Sequence, residues 1–549
     1  MRKEVFAAQA GLTGANALIA EDGAMMFITN EGNGRLVATV PPFHIVLASI
    51  EKVLPSITDA MTLLKLLPRN ATGQSITSYV SFIAGPHNAA QVIVLLDNHR
   101  SEILADPEFR EVLRCIKCSA CLNVCPVYQV IGGEEYAHIY MGGIGTLLTA
   151  WIHGLRESES LARLCLRCHR CEEFCAAKVR IADLITALAE RIHKELGASF
   201  WKRFAFEGVM ASSAIHQTAF KAARRTRKVI GKKNGFSRGL PALMRRYDRF
   251  RALPAPAKVP FTKLFKNEFS VAGKRFPEKV APRETERHID IPRKDGSWQI
   301  SKGSITVFPG CLIEHFYPEI GMAAGRVLLN LGYDVKTAPG LCCGFPASNA
   351  GFGKASSRAL SSLLKKMDFE GPVITLCPTC TSMLAKRGPE LVKSEKVKML
   401  AARVFPFSRF IAEKEMEGIR RLGDERRSSG FDKITYHDSC HHKNLWKAGE
   451  TSRRLLKAAL NTGIIEMEES DICCGFAGSF SIENPEISAE LLSDKLAAIG
   501  KTGAGVVALD CPGCLLQIRG GFHRKRLNVR VMHTAQILDA ALNHVRTRA

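Results

Sequence analysis

At 549 residues and 46% hydrophobic content, the chain is long enough for about three to five domains with ordinary cores. Its N-terminus has a basic start but no continuous apolar core, and no eighteen-residue apolar window occurs anywhere, so a membrane span is excluded and a cytoplasmic protein expected. The formal charge is +23, and eighteen cysteines in such a protein point to metal or redox chemistry, not to a disulfide scaffold.

Residues 1–97 predict a small α/β unit. Apolar, β-rich runs at Ala24–Thr29, Leu36–Val40, His44–Ala48, Ile76–Ile83 and Val92–Leu96 are its expected strands. Ser56 is placed to cap a helix whose residues Ile57, Met61, Leu64 and Leu67 share an apolar face, with Pro68 after it. Glu31, Asn33 and His44 are expected to serve turns and caps. The glycines near 32–34 make no dinucleotide fingerprint, and no P-loop occurs. The stretches Gly11-Leu-Thr-Gly-Ala-Asn16, Thr29-Asn-Glu-Gly-Asn-Gly-Arg35 and Pro41-Pro-Phe-His44 resemble the LUD domain of the lactate-utilisation iron–sulfur proteins. That domain is longer on its N-terminal side, so the resemblance implies a partial, shortened LUD-like domain.

In residues 98–200, Asp106 and Pro107 are placed to cap and start a helix leading into the first cysteine run. That run is Cys115, Cys118, Cys121 and Cys125; the second is Cys165, Cys168, Cys171 and Cys175. Each reads C-x2-C-x2-C-x3-C, closed by Pro126 in the first and by Ala176, where proline is usual, in the second. This is the bacterial 4Fe–4S spacing, in which three close cysteines hold one cluster and the fourth reaches the other. The expected sets are therefore Cys115, Cys118, Cys121 with Cys175, and Cys165, Cys168, Cys171 with Cys125, each holding a cubane. Zinc sites use two separated C-x2-C knuckles, which this spacing does not supply. Cys165-Leu-Arg-Cys168-His169 also spells a haem-attachment signature, but both cysteines belong to the cluster run. Ile144–Leu155, with Trp151, is long enough for a helix between the runs. Ile181, Leu184, Ile185, Leu188, Ile192 and Leu196 mark an amphipathic helix stopped by Gly197. The stretch resembles the helical two-cluster ferredoxin module of electron-transfer subunits in respiratory dehydrogenases.

Residues 201–300 hold 24 Lys and Arg against 8 Asp and Glu, a net of +16. The clusters Arg224-Arg225-Thr-Arg227-Lys228, Lys232-Lys233 and Arg245-Arg246, with Pro254, Pro256 and Pro260, predict a basic connector. It reads either as a solvated linker or as a docking surface for an acidic partner or an anionic membrane surface. Nucleic acid is not an expected partner, since no recognition fold accompanies the charge.

Residues 301–549 are an internal repeat, divided here into 301–425 and 426–549. The first copy has Cys311, thirty residues, Cys342-Cys343-Gly344, then Cys377-Pro-Thr-Cys380. The second has Cys440, thirty-two residues, Cys473-Cys474-Gly475, then Cys511-Pro-Gly-Cys514. Short β runs at Ile305–Phe308, Val373–Leu376, Thr435–His437 and Val506–Leu509 precede cysteines in both copies. At the carboxyl ends of parallel strands five thiolates would converge in one crevice. The glycine after each cysteine pair allows a tight backbone turn there. Both copies are identified as CCG domains, similar to the B subunit of heterodisulfide reductase. The resemblance implies one or two further 4Fe–4S clusters of noncubane type, with His437, Asp438 and His441 supporting the ligands from behind.

The expected fold class is thus multidomain α/β: a partial LUD-type α/β unit, a helical two-cluster module and two tandem α/β CCG domains. The order resembles a fusion of two iron–sulfur components of the bacterial lactate-utilisation system. It implies a subunit of an oxidoreductase complex that passes electrons from a flavin-dependent dehydrogenase, or another redox subunit, through its clusters. Nothing in the sequence binds flavin, haem or nicotinamide. A disulfide reductase working at a CCG cluster and a non-enzymatic iron–sulfur scaffold or sensor remain open alternatives. The expected location is cytoplasmic or peripheral at the inner face of the membrane.

Overall fold

Short strands rich in Ile, Val and Phe, with no alternation of polar residues, suit parallel sheets covered on both faces. The cysteine-rich half of the chain is built from two of them. The computed structural model describes residues 2–85, 90–227, 235–237, 242–269, 290–292, 298–300, 302–424, 431, 433–460 and 463–543. They fall into two units, Met1–Leu113 and Arg114–Ala549.

The first unit runs beyond residue 97 and holds two sheets. One is parallel, joining β1 (Ala10–Thr13), β4 (Phe43–Ser49) and β7 (Ala90–Leu96) in the order β1-β4-β7. The other joins β2 (Ala17–Ile19), β3 (Met25–Thr29), β5 (Val53–Leu54) and β6 (Tyr79–Ile83) in the order β5-β2-β3-β6. The expected strand at Leu36–Val40 is instead part of a helix, α1 (Asn33–Thr39). Gly32, at φ +76°, turns the chain into that helix. A short, nearly continuous apolar run cannot separate a strand period from a helical one. Helix α2 (Ile57–Thr72) starts from a capping box in which Ser56 and Asp59 satisfy each other's backbone N–H, worth about 1 kcal/mol. It does not stop at Pro68 but runs on to Gly73, at φ +71°. Asp106 does act as a cap, accepting from the N–H groups of Glu108 and Phe109 at 2.9 and 3.1 Å, though a 3-10 turn (Arg110–Arg114) follows instead of an α-helix.

In the second unit the two cysteine runs are interleaved with helices Gly142–Ile152, Leu155–Arg163 and Ile181–Glu195. The first CCG sheet joins β8 (Ser304–Phe308), β9 (Asp334–Thr337), β10 (Val373–Thr375) and β11 (Val404–Pro406) in the order β9-β8-β10-β11, all parallel. The second joins β12 (Ile434–Tyr436), β13 (Ile464–Ile465), β14 (Val506–Leu509) and β15 (Arg530–His533) in the matching order β13-β12-β14-β15, again parallel. Ile305, Val307 and Phe308 on β8 are fully buried, each contributing about 1.5–3 kcal/mol over exposure.

The 201–300 connector is not a solvated linker where it is described. Helix Ser213–Arg225 and helix Phe261–Phe269 pack on the first CCG domain, burying His216, Phe261 and Phe265. Arg224 donates to His315 Nδ1 at 3.1 Å and Arg227 to the Pro256 carbonyl at 2.7 Å. Arg251 is buried, donating to Gln517 and, at 2.9 Å, to Ser481 Oγ. Long guanidinium side chains with an apolar stem can thus serve as anchors, and charge density alone does not reveal it. Arg225, Arg245 and Arg246 remain exposed, while Lys228, Lys232 and Lys233 lie outside the described residues. Among the described residues, no helix is long and apolar enough to cross a membrane.

Candidate metal centres

All eighteen cysteines are free thiols. In the first run, Lys117 and Ser119 lie at φ +58° and +61°; in the second, Arg167 and His169 lie at +52° and +59°. These left-handed residues between cysteines reverse the chain at each step, so that thiols three residues apart line one space. Cys115, Cys118, Cys121 and Cys175 border a cavity of about 450 Å³. Backbone N–H groups of Lys117, Arg167 and Val179 donate to Cys115, Cys165 and Cys175 at 3.4 Å, a polarity suited to thiolates. Burial raises the Cys115 thiol, and its neighbours Cys175 and Cys118 add to the effect. Burial likewise raises Cys125, whose cysteine neighbour is Cys165 of the other run. The fourth cysteine of each run is therefore brought to the opposite set.

The five cysteines of each CCG copy meet at the carboxyl ends of the strands. Cys377 and Cys511 both cap helices that begin with proline, Pro378–Ser382 and Pro512–Lys525, while Cys311 and Cys440 sit in the first turns of Gly310–His315 and Cys440–Asn444. Gly344 and Gly475 adopt φ +92° and +79°. A Cβ there would come within 2.9 Å of Ser356 O and 2.8 Å of Ser488 O, so only glycine fits. Cys343 Sγ lies 3.4 Å from Cys380 Sγ. Close contact with Cys342 and Cys380 brings the Cys343 thiol down to about 6, and contact with Cys473 and Cys514 brings Cys474 down to about 5.

The four groups are contiguous. Cys168 is raised well above its ordinary value, first by burial and then by Cys440 of the second CCG domain. Cys125, Cys168 and Cys473 share one apolar cluster with Val127, Leu166 and Phe480. His441 Nε2 donates to the Arg167 carbonyl at 2.8 Å, and Asn444 Nδ2 to the Cys168 carbonyl at 2.7 Å. These bonds clamp the second CCG domain onto the second run. Cys377 of the first CCG domain lies beside Cys511 of the second, close enough to shift its thiol. At the other end Cys118 is exposed, beside Ile116 and Ile139 at 64% and 84% exposure.

Of the supporting residues expected from sequence, Asp438 is buried and salt-bridged to Arg453 at 2.7 Å. Burial alone would raise its carboxyl, but hydrogen bonds from Arg453 and Ser470 hold it below the usual range. His441 is buried against the rings of His169 and Phe345. His44 is no turn residue: it is buried in β4, hydrogen-bonded to Thr13 and Gln91 at 2.8 and 3.1 Å. Asn33 does shape its turn, accepting from the Gly34 N–H at 2.8 Å. Sequence reasoning missed Tyr436, which donates to Asp510 at 2.5 Å, and His533, which lies 3.1 Å from the Leu376 and Asp510 carbonyls and ties the CCG domains together.

Convergent, unbridged sets of four or five thiols, backed by N–H groups, fit iron–sulfur clusters and suit no harder ion. Residues 1–103 match the LUD domain, 111–179 the 4Fe-4S dicluster domain, and 305–385 and 434–519 the cysteine-rich CCG domain. The chain is thus a multidomain α/β iron–sulfur redox protein carrying these domains. It is 35% identical over 276 residues to lactate utilization protein B of Bacillus subtilis, covering 48% of this chain and 57% of that protein. Lactate utilization protein B 1 of Bacillus mycoides is 36% identical over 272 residues, at 48% and 57% coverage. The chain spans a little over half the length of these relatives. Among solved structures, that of a DUF162 family protein from Deinococcus radiodurans covers 18% of this chain and 58% of its own at 22% identity, with a TM-score of 0.15.

Proposed function

We propose that this chain is the iron–sulfur electron-transfer component of a lactate (2-hydroxy acid) oxidising system. The reading rests on the contiguity of the thiol groups: the Cys115 set with its exposed Cys118, the Cys165 set, Cys168 beside Cys440, and Cys511 against Cys377. Clusters bound at these cysteines, two cubanes and one or two of CCG type, would supply one-electron transfer from a flavin-type dehydrogenase docked near Cys118 toward the CCG domains. The protein's own contribution is to bury the inner sets from water and to clamp them through His441 and Asn444. The similarity to lactate utilization protein B supports lactate as the donor's substrate, and the location proposed is cytoplasmic or peripheral at the inner membrane face. A disulfide reductase is the second reading, favoured by the adjacency of Cys377 and Cys511, which puts two five-thiol sites side by side.

Taking hydride from a hydroxy acid is normally the work of flavin or nicotinamide. The test is reconstituted, flavin-free chain incubated with L- or D-lactate and an artificial acceptor. No pyruvate should form until a flavin-dependent lactate dehydrogenase is added. Sustained pyruvate from the chain alone, abolished by Cys473→Ser or Cys342→Ser, would overturn the reading; thiol–disulfide turnover with an artificial donor would favour the second one.

A further inference from the structure

The two CCG copies match in all five cysteines but differ beside them. Three residues before Cys440 stands His437; three residues before Cys311 stands Phe308. Phe308 ends β8, His437 directly follows β12, and both are 0% exposed. Phe308 and the Cys380 thiol flank the same point, since a Cβ built on Gly310 would meet Cys380 Sγ at 3.1 Å and the Phe308 ring at 3.8 Å. In the second copy the corresponding place is taken by an imidazole. A ring nitrogen of His437 and the Sγ atoms of Cys474 and Cys514 all lie within 4.8 Å of one another.

Neither His437 nitrogen has a hydrogen-bond partner. Leaving such a group unsatisfied in a protein interior is costly, so an orphaned buried imidazole asks for a ligand. The charged neighbours are already engaged. Asp438 accepts from Arg453 at 3.0 and 2.7 Å and from Ser470 Oγ at 2.7 Å, and Lys495 Nζ donates to the Glu469 carbonyl at 2.9 Å. The other grouping of this kind, His169 with Glu172 and Asp183, is different: His169 Nδ1 is bonded to Glu172 at 3.0 Å, and Glu172 also accepts from the Ala182 N–H at 2.8 Å.

We propose that His437 is a nitrogen ligand of the cluster held by Cys440, Cys473, Cys474, Cys511 and Cys514. The second CCG site then offers five thiolates and an imidazole, while the first offers five thiolates beside the inert ring of Phe308. This rests on the reading that those five cysteines hold a cluster, and it makes the two CCG centres chemically distinct despite their identical cysteine patterns.

The test is pulsed EPR on the full chain, reconstituted anaerobically, with natural-abundance and 15N-histidine protein compared. A strong nitrogen coupling that changes with the isotope is expected, together with its loss in His437→Phe at unchanged iron content. Iron present at the second CCG site without strong histidine coupling in the wild type would overturn His437 ligation alone, and needs no variant to do so. A strong coupling that survives in His437→Phe would assign the nitrogen to another histidine and overturn it equally. A second CCG site that takes up no iron would overturn both the ligation and the cluster reading beneath it.

Discussion

Cys377 and Cys511, the first cysteines of the two C-P-x-C elements, lie side by side across the CCG domains, where His533 Nε2 is 3.1 Å from the carbonyls of the residues just before them, Leu376 and Asp510. Their proximity holds Cys511 well below its ordinary value while Cys377 is pushed well above. Substitution on one side should therefore be felt on the other. Cys511→Ala should alter the EPR signal of the first CCG centre as well as that of its own. An unchanged first-domain signal in a folded, iron-loaded variant would contradict this.

Cluster content follows from the four thiol groups. Two cubanes give about eight irons and two CCG clusters about eight more, if each holds four. Cys175→Ser should damage the cluster of the Cys115 set more than that of its own run, because Cys175 lines the same cavity as Cys115, Cys118 and Cys121. Iron and sulfide assay with low-temperature EPR checks both. No more than about four irons per chain in well-reconstituted protein would contradict the cubane pair.

The clamp between the second run and the second CCG domain is open to mutation. His441→Ala leaves the Arg167 carbonyl without its 2.8 Å partner, and Asn444→Ala does the same for the Cys168 carbonyl at 2.7 Å. Each should cost about 1–3 kcal/mol in denaturant unfolding. Electron transfer from the module to the CCG domains, followed by stopped-flow absorbance, should slow as well.

The connector helix Ser213–Arg225 should loosen in acid. His315 accepts from Arg224 at 3.1 Å and stacks on Phe220 at 3.9 Å. Burial first, then His216 and Arg224, lowers its pKa to about 3. A base lowered in the folded state binds its proton first in the unfolded state. Stability is therefore full above the unfolded value of about 6.5 and falls as pH drops from there toward 3, by up to about 1.4 kcal/mol per pH unit for one imidazole. Amide protection factors of residues 213–225, corrected for the intrinsic exchange rate at each pH, should fall between pH 7 and 5, and less so in His315→Gln.

The basic residues of the connector should separate into two kinds. Arg225→Gln, Arg245→Gln and Arg246→Gln, at exposed positions, should leave stability within about 0.5 kcal/mol. They should weaken binding to anionic vesicles or an acidic partner, and salt above about 0.15 M should do the same by screening. Arg224→Gln and Arg227→Gln should instead lower the melting temperature, since both side chains are bonded inward. Binding indifferent to salt and to the exposed substitutions would remove the docking role.

What the sequence determined by itself was local. A thiol every third residue is a chelation pattern within one loop, and it announces itself without tertiary structure. The repeat of Cys311 through Cys380 in Cys440 through Cys514, and the apolar strands such as Val506–Leu509, are likewise legible because spacing and period are properties of the chain. Tertiary structure alone decided the rest. Leu36–Val40 reads equally as strand or helix until Gly32 and its neighbours fix the turn. Arg251 looks like surface charge until its partners Ser481 and Gln517, far along the chain, enclose it. Cys168 beside Cys440, Cys377 against Cys511 and the unpartnered nitrogens of His437 are long-range facts. They depend on how two sheets and a helical module pack, and burial by distant residues leaves no period in the sequence that surrounds a side chain.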